Sequence, residues 1–219
     1  MHIDQARSYD AHGRQMFADG QFLQAAAAFT MAAELFRELA ETGSEQAALQ
    51  YASQLNNAGL CMAKMGRHAE AVDHLGEAFG IVEPFWSDDP SLTPFASGIL
   101  GSLANSLTEL GLHDRAIELT EQVLPLRRAA AEGGTQAMNP ELAKALRTYA
   151  QARSNAGREL PRALPAATEA VAIYQALADT NPAFHTDLVQ AYGVLSGVLG
   201  KLGRHDEADE VRSWGSAPS

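Results

Sequence analysis

Five glycines recur along the chain at an almost constant interval, and this period constrains the fold more than any other feature of the sequence. They are Gly20, Gly66, Gly111, Gly157 and Gly203. The intervals between them are 46, 45, 46 and 46 residues. Each glycine follows a stretch whose apolar residues recur at three- and four-residue steps, which is typical of a helix. Glycine is favoured where a chain leaves a helix with a positive φ. The period therefore predicts five copies of one unit, each with a turn between two helices.

Other positions keep the same register as the turn glycines. Seven residues before them stand the small residues Gly13, Gly59, Ala104, Ala150 and Ser196. Eleven residues before them stand the large residues Tyr9, Leu55, Leu100, Leu146 and Tyr192. Five residues after four of them stand the alanines Ala25, Ala71, Ala116 and Ala208. In the fourth copy Ala163 comes six residues after the glycine, which predicts one inserted residue. Small residues let paired helices approach closely, and large ones fill the space to the next pair, so the pattern predicts stacked helix hairpins.

Pairs of a capping residue and a proline predict where the first helices of the later copies begin. These pairs are Thr93–Pro94, Asn139–Pro140 and Asn181–Pro182. A side chain of this kind caps a helix whose first residue is proline. Short turn-rich linkers are predicted at 86–92, 131–138 and 179–181, and no strand pattern is present. We expect a single repeat domain over 1–219, with repeats at about 3–43, 44–90, 91–136, 137–180 and 181–214.

Three segments of the chain, residues 55–79, 103–124 and 194–211, resemble tetratricopeptide repeats (TPRs). They share that family's order of large, small, large, glycine, alanine and alanine positions. The period exceeds the family's usual length of about 34 residues, so both helices are lengthened, as in kinesin light chain-type and bacterial TPR arrays. The resemblance covers nearly the whole chain and implies an all-α, right-handed α-solenoid of five helix hairpins, or ten helices. His12 and Arg153 occupy usually apolar sites, and Thr120 replaces a usual aromatic residue.

The resemblance also implies a binding surface, because the first helix of each TPR hairpin lines the concave groove. The candidate partner-binding residues at these positions are Arg14, Asn56, Leu60, Lys64, Asn105, Lys144, Arg147 and Gln151. Side-chain amides form hydrogen bonds with peptide groups, and cations pair with carboxylates. The set predicts a groove for an extended peptide or protein segment. The alternative is that these are the polar residues of solvated helix faces.

Two further clusters each leave two interpretations open. Glycines lie inside the predicted helices on the same surface, at Gly98, Gly101, Gly193, Gly197 and Gly200. Each costs about 1 kcal/mol relative to alanine in a helix, which either close helix packing or room for a bulky ligand or partner helix would explain. Packing is the preferred interpretation. The aromatic residues Phe85, Trp86 and Phe95 lie around a connector, where packing across repeat ends is preferred over an exposed binding loop.

Composition narrows the classes of partner. The net charge of −11 opposes binding to phosphate backbones and to anionic membrane surfaces. Cys61 is the only cysteine, which excludes an intrachain disulfide and fits a reducing compartment. It lies among apolar residues and is expected to be a small buried hydrophobe. With no apolar signal segment and no long apolar run, a cytoplasmic location is expected.

No motif points to catalysis. His68, His113 and His205 each follow a turn glycine by two residues, so they repeat one structural position. Stacked helices lie about 8–10 Å apart, too far for one ion to bridge two such histidines. No metal, cofactor or catalytic residue is therefore predicted. The preferred function is a non-catalytic adaptor or scaffold that binds a protein or peptide segment. The alternatives are a ligand-sensing regulatory protein, and an enzyme or enzyme subunit with a groove site. A homodimer through the short last repeat is left open.

Overall fold

The computed structural model describes residues 2–132 and 139–215, which form ten α-helices and no strand. The helices are α1 (His2–Ala18), α2 (Phe22–Ala40), α3 (Glu45–Lys64), α4 (His68–Asp88), α5 (Thr93–Glu109), α6 (His113–Glu132), α7 (Pro140–Ala156), α8 (Leu160–Thr180), α9 (His185–Lys201) and α10 (His205–Trp214). The prediction of ten helices is confirmed. The linker predicted at 131–138 falls largely outside the described residues.

The turn glycines separate the two helices of each hairpin, as predicted. Their φ angles are 72° for Gly20, 74° for Gly66, 76° for Gly111, 65° for Gly157 and 77° for Gly203. In the fourth hairpin the second helix starts at Leu160, three residues after the glycine rather than two. The extra residue lies in this turn, where Glu159 has a φ of 47°. The predicted insertion is therefore confirmed.

The chain divides into two compact units, Met1–Leu110 and Gly111–Ser219. We call them unit 1 and unit 2. Unit 1 contains α1 to α5, and unit 2 contains α6 to α10. The division falls at the turn between α5 and α6. The single domain and its repeat bounds stay a prediction.

Small residues bring the paired helices of unit 1 close together. A Cβ on Gly13 would lie 2.7 Å from Cε1 of Phe29, and one on Gly59 would lie 2.8 Å from Cγ of Leu75. Ala25 and Ala71, the alanines that follow the turn glycines Gly20 and Gly66, are fully buried. The predicted role of the small residues is confirmed here, because no larger side chain fits at these two positions without displacing a buried neighbour.

A buried guanidinium takes the place of an apolar side chain in unit 2. Arg153 is only 2% exposed and lies 4.7 Å from the ring centroid of Tyr149. It donates hydrogen bonds to Glu121 of α6, at 2.5 Å, and to Glu159 in the turn before α8. These contacts pair a charge that would otherwise be costly to bury, although its Nε is buried without an acceptor in the described residues. Thr120, the other unusual residue, is also buried and donates its hydroxyl to the carbonyl oxygens of Ala116 and Ile117.

Only one of the three predicted helix caps is correct. Asn139 caps α7, because its Oδ1 accepts from the N–H groups of Glu141 and Leu142. The prediction for Asn181 is wrong. It caps a 3₁₀ turn at Pro182–Phe184, and α9 begins three residues later than predicted.

The prediction for Thr93 is also wrong. Thr93 is the first residue of α5, and its hydroxyl donates to the carbonyl oxygen of Pro90 instead of capping the helix. A 3₁₀ turn at Pro90–Leu92 precedes α5, and Asp89 is the residue that caps this turn. A capped 3₁₀ turn therefore comes before the helix in both of these repeats.

Candidate functional site

A cavity of about 410 Å³ opens in unit 1 between side chains of α1, α2, α3 and α5. It is lined by Arg14, Phe17, Phe29, Ser53, Asn56, Asn57, Leu60 and Phe95. Three aromatic rings and a leucine form its apolar part, and the serine, the two asparagines and the arginine form its polar part. Three of the predicted binding residues, Arg14, Asn56 and Leu60, therefore come together around one cavity.

Two amide oxygens in this region lack a hydrogen-bond donor. Oδ1 of Asn56 is buried and has no partner among the described residues. The same is true of Oε1 of Gln54, a fully buried residue two positions earlier on α3 that does not line the cavity. A buried acceptor without a donor costs free energy. A ligand that brings an N–H group to Oδ1 of Asn56 would recover that cost once the amide turns toward the cavity, because this oxygen is buried in the free protein.

The arginine at the cavity is already paired. Nε of Arg14 donates to Oδ1 of Asp10 at 3.0 Å, and its Nη2 lies 2.9 Å from Oδ2. Asp10 also accepts from Nε2 of Gln54 at 3.1 Å. Opposite charges therefore meet at the cavity edge, so the cavity does not present an isolated cation.

The other predicted residues of unit 1 do not line this cavity. Lys64 is exposed in the last turn of α3, and Asn105 is half-buried on α5. The remaining three, Lys144, Arg147 and Gln151, lie in unit 2 on one face of α7.

Polar side chains on this face of unit 2 bind to one another. Arg147 donates to Gln190 of α9, lies 3.7 Å from Asp187, and stands 5.9 Å from the ring centroid of Tyr174. A second contact joins the same two helices, because Nζ of Lys201 on α9 donates to the carbonyl oxygen of Ser154 on α7 at 2.5 Å. These contacts join α7 to α9, so part of the predicted binding set has a structural role in the free protein.

The glycines inside the helices do not pack closely. A Cβ added to Gly101, Gly193, Gly197 or Gly200 would meet no atom within 4 Å. The preferred close-packing interpretation is therefore wrong for these four, because nothing approaches the space that their missing side chains leave. The interpretation for Gly98 stays a prediction. In α9 the open glycines lie beside Val189, which is 49% exposed.

The aromatic cluster is divided between two roles. Trp86 packs within unit 1, since its Nε1 donates to Oγ1 of Thr93 at 3.0 Å and its ring lies edge-on to Phe79 with centroids 6.3 Å apart. The packing interpretation is confirmed for this residue. Phe95 instead lines the cavity.

Besides Phe95, four cavity residues were absent from the candidate binding set, namely Phe17, Phe29, Ser53 and Asn57. A signal existed for Phe29. It follows its turn glycine by nine residues, as Leu75 follows Gly66, and both large side chains lie against a glycine of the first helix. Asn57 lies one position from Asn56 on α3, outside the repeat positions expected to face the groove.

The thiol of Cys61 is poorly placed for nucleophilic chemistry. Cys61 is fully buried, as predicted, and burial raises the pKa of its thiol to about 11, so the reactive thiolate is scarce at neutral pH. No cluster of three histidine, cysteine or carboxylate side chains suited to a metal ion occurs in the described ranges. Across the same ranges, no helix has the length and apolar character needed to cross a bilayer.

Solved structures establish what fold these hairpins form. A Podosopora anserina protein described as a kinesin light chain with nearly identical TPR-like repeats superimposes with a TM-score of 0.70 at 21% identity, over 99% of this chain and 95% of that one. A Rap protein in complex with Competence and Sporulation Factor gives a TM-score of 0.70 at 19% identity, over 98% of this chain and 54% of that one. Aspartyl phosphate phosphatase F from Bacillus subtilis gives a TM-score of 0.65 at 16% identity, over 96% of this chain and 49% of that one.

These matches confirm the predicted fold class, an all-α solenoid of TPR-like helix hairpins. The chain has the tetratricopeptide-repeat fold. No protein-family model and no curated protein matches the sequence. The identities are low, so the likenesses establish the fold alone.

Proposed function

We propose that this protein is a non-catalytic adaptor or scaffold that binds an extended segment of another protein along the first helices of its hairpins. The cavity of unit 1 serves as the subsite for one apolar side chain of that segment. The observation behind this proposal is the buried, unpartnered Oδ1 of Asn56 at a cavity of about 410 Å³.

The size and lining of the cavity suit a large apolar side chain. Ligand pockets usually measure about 300–1,000 Å³ and combine apolar walls with a few placed polar groups. Phe17, Leu60 and Phe95 supply the walls here. An aromatic or leucine side chain would remove apolar surface from water on both partners when it enters.

The polar groups suit a peptide backbone better than a charged group. The side-chain oxygen of Asn56 accepts from a backbone N–H, and its NH₂ group donates to a backbone carbonyl oxygen. Arg14 is neutralised by Asp10. A segment that lays its main chain across Asn56 and its side chain into the cavity satisfies both features at once.

The comparisons support an interaction role by analogy. The matched Rap protein was solved with Competence and Sporulation Factor bound, so the same fold holds a partner in that case. We also place the protein in the cytoplasm, which its single, buried cysteine favours. Its acidic charge makes nucleic acid a poor partner.

The test begins with selection of binding sequences from a random peptide display library, followed by titration of a selected peptide with purified variants. Asn56→Leu removes the acceptor without reducing the volume of the side chain, and Phe95→Ala removes part of the wall. Each is expected to weaken binding about tenfold, or about 1.4 kcal/mol. For Asn56→Leu the reason is the lost hydrogen bond to a buried group, and for Phe95→Ala it is the lost apolar contact.

Gln24→Leu is the matched control, because Gln24 is an exposed amide on α2, a second helix of unit 1 outside the proposed binding surface. It should leave the affinity unchanged. If Gln24→Leu and Asn56→Leu weaken binding equally, or if neither cavity variant has an effect, the subsite is wrong. If the library yields no binder at all, the proposed function fails as well.

A further inference from the structure

A second apolar groove lies in unit 2, on the second helices of the hairpins rather than the first. It has a volume of about 510 Å³, with α8 and α10 as its two walls and α9 beneath them. Leu164, Val171, Leu195, Leu199, Val211 and Trp214 form its apolar surface. The groove shares no residue with the cavity of unit 1, so it stands independently of the proposed function.

A fixed tryptophan forms one end of this groove. Trp214 is 48% exposed, although its ring lies edge-on to Tyr192 with centroids 5.7 Å apart. The hydroxyl of Tyr192 donates in turn to Oε1 of Gln175 on α8 at 2.7 Å. The indole N–H has no partner within the part of the chain that the structure describes. Tryptophan is over-represented among the residues that dominate binding energy at protein interfaces.

The charge on the groove rim is negative. Helix α10 contains four carboxylates, Asp206, Glu207, Asp209 and Glu210. Arg204 pairs with Glu207 at 2.5 Å and Arg212 pairs with Asp209 at 2.7 Å. Glu210 lines the groove and has no cationic partner in the described residues. A partner therefore gains most if it brings a lysine or arginine to this carboxylate.

We propose that this groove docks an amphipathic helix of a partner protein, with apolar residues facing Trp214 and Leu199 and a basic residue facing Glu210. A helix suits a trough that runs between two helices, because side chains at every third or fourth position form a ridge that fits it. A second copy of this chain suits it less well. Its net charge of −11 and its own acidic α10 would repel the rim.

The experiment uses the full chain and a designed amphipathic peptide of leucine and lysine, about 15 residues long, a length at which an isolated helix is marginally stable. A leucine and glutamate peptide of the same pattern is the charge control. Trp86→Phe leaves Trp214 as the single tryptophan, so its fluorescence reports on the groove. The basic peptide is expected to shift the Trp214 emission to shorter wavelength and to bind at least tenfold more tightly than the acidic one.

Substitutions then localise the binding. Glu210→Lys reverses the rim charge, and Ala172→Gln fills the groove without adding charge, so each should weaken the basic peptide about tenfold. Glu34→Lys makes the same charge change on exposed α2 in unit 1 and should leave the affinity within twofold. Equal binding of both peptides, or an equal loss with Glu34→Lys, would overturn the proposal. So would self-association of the chain that shifts the Trp214 emission without peptide, since a second copy would then occupy the groove.

Discussion

The first helices of unit 1 and unit 2 occupy equivalent repeat positions, but they leave their polar side chains in different states. In unit 1, Oδ1 of Asn56 is buried without a donor among the described residues, and Asn56 lines an open cavity. In unit 2, Arg147 donates to Gln190 and Lys201 donates to the carbonyl oxygen of Ser154, so α7 and α9 are joined, although Nε of Arg147 is buried without an acceptor in the described part of the chain. The repeat position therefore predicts which way a side chain points, whereas the neighbouring hairpin determines whether it is available to a partner.

The glycines of the two units show a second difference. Gly13 and Gly59 of unit 1 lie against buried side chains, whereas Gly193, Gly197 and Gly200 of unit 2 lie in open space. The first kind allows a close helix contact that alanine would obstruct. The second kind costs helix stability without any intramolecular contact in return. The same residue type thus has opposite consequences for stability in the two units.

The largest expected effect comes from adding one methyl group to a packed glycine. Gly59→Ala would place its Cβ 2.8 Å from Cγ of Leu75, which is fully buried and has little room to move. Overpacking of this kind costs about 1–3 kcal/mol, and the helix propensity of alanine offsets about 1 kcal/mol. We expect the free energy of unfolding to fall by up to about 2 kcal/mol, measured by urea denaturation followed by circular dichroism.

A double substitution tests the cause of that loss. If the clash with Leu75 is responsible, Gly59→Ala combined with Leu75→Ala should cost less than the sum of the two single changes, because the new methyl group occupies part of the space that Leu75 vacates. Additive losses would show that the two residues do not act on each other.

The same substitution in unit 2 should have the opposite sign. Gly197 is exposed, and a Cβ there meets nothing within 4 Å. Gly197→Ala is expected to raise the free energy of unfolding by up to about 1 kcal/mol, because alanine loses less backbone entropy on forming a helix. Equal signs for Gly59→Ala and Gly197→Ala in the same denaturation assay would remove the distinction between packed and open glycines.

These glycines also mark how far the sequence alone can predict the molecule. The five turn glycines were predictable because a positive φ is a local demand, and the insertion in the fourth turn followed from the shifted position of Ala163. Whether a glycine within a helix faces a neighbour or open space depends on tertiary packing. Periodicity alone therefore favoured the wrong interpretation for four of the five.

The helix starts illustrate the same limit. Asn139 and Asn181 each precede a proline, and both accept a hydrogen bond from the second residue after them. One of these bonds begins an α-helix and the other begins a 3₁₀ turn. The local chemistry is identical up to that point, so the sequence predicts a cap without fixing what it caps.

The candidate site was predictable only in part. Three of its residues followed from repeat positions on the first helices, whereas Phe29 comes from a second helix and Phe95 from a segment assigned to packing. The pairing of Arg14 with Asp10 follows from their i, i+4 spacing on α1. That of Arg147 with Gln190, 43 residues later in the chain, depends on a distance that spacing in the sequence does not give.

A smaller effect is expected from the polar side chains themselves. Gln190→Ala removes the acceptor of the mostly buried Arg147 and should cost about 1 kcal/mol of unfolding free energy. Asn56→Leu in unit 1 removes an oxygen that has no donor, so it should change stability by less than about 0.5 kcal/mol or stabilise the fold. The comparison between units would be wrong if Asn56→Leu were the more destabilising of the two in parallel denaturation curves.

The smallest expected effect, confined to acidic pH, concerns the buried Arg153 of unit 2. Its guanidinium donates a hydrogen bond to Glu159 and holds the pKa of that carboxyl below the ordinary value of 4.5. The unfolded chain therefore binds this proton more readily than the folded one does. The contribution to stability is fully present above pH 4.5, and it is lost as the pH falls through the lower pKa of the folded state.

Glu159→Gln should therefore flatten the acid limb of a plot of unfolding midpoint against pH. Glu118→Gln, on an exposed residue of α6, is the matched control and should retain the wild-type slope. An unchanged slope in Glu159→Gln would mean that the buried arginine does not make unit 2 sensitive to acid.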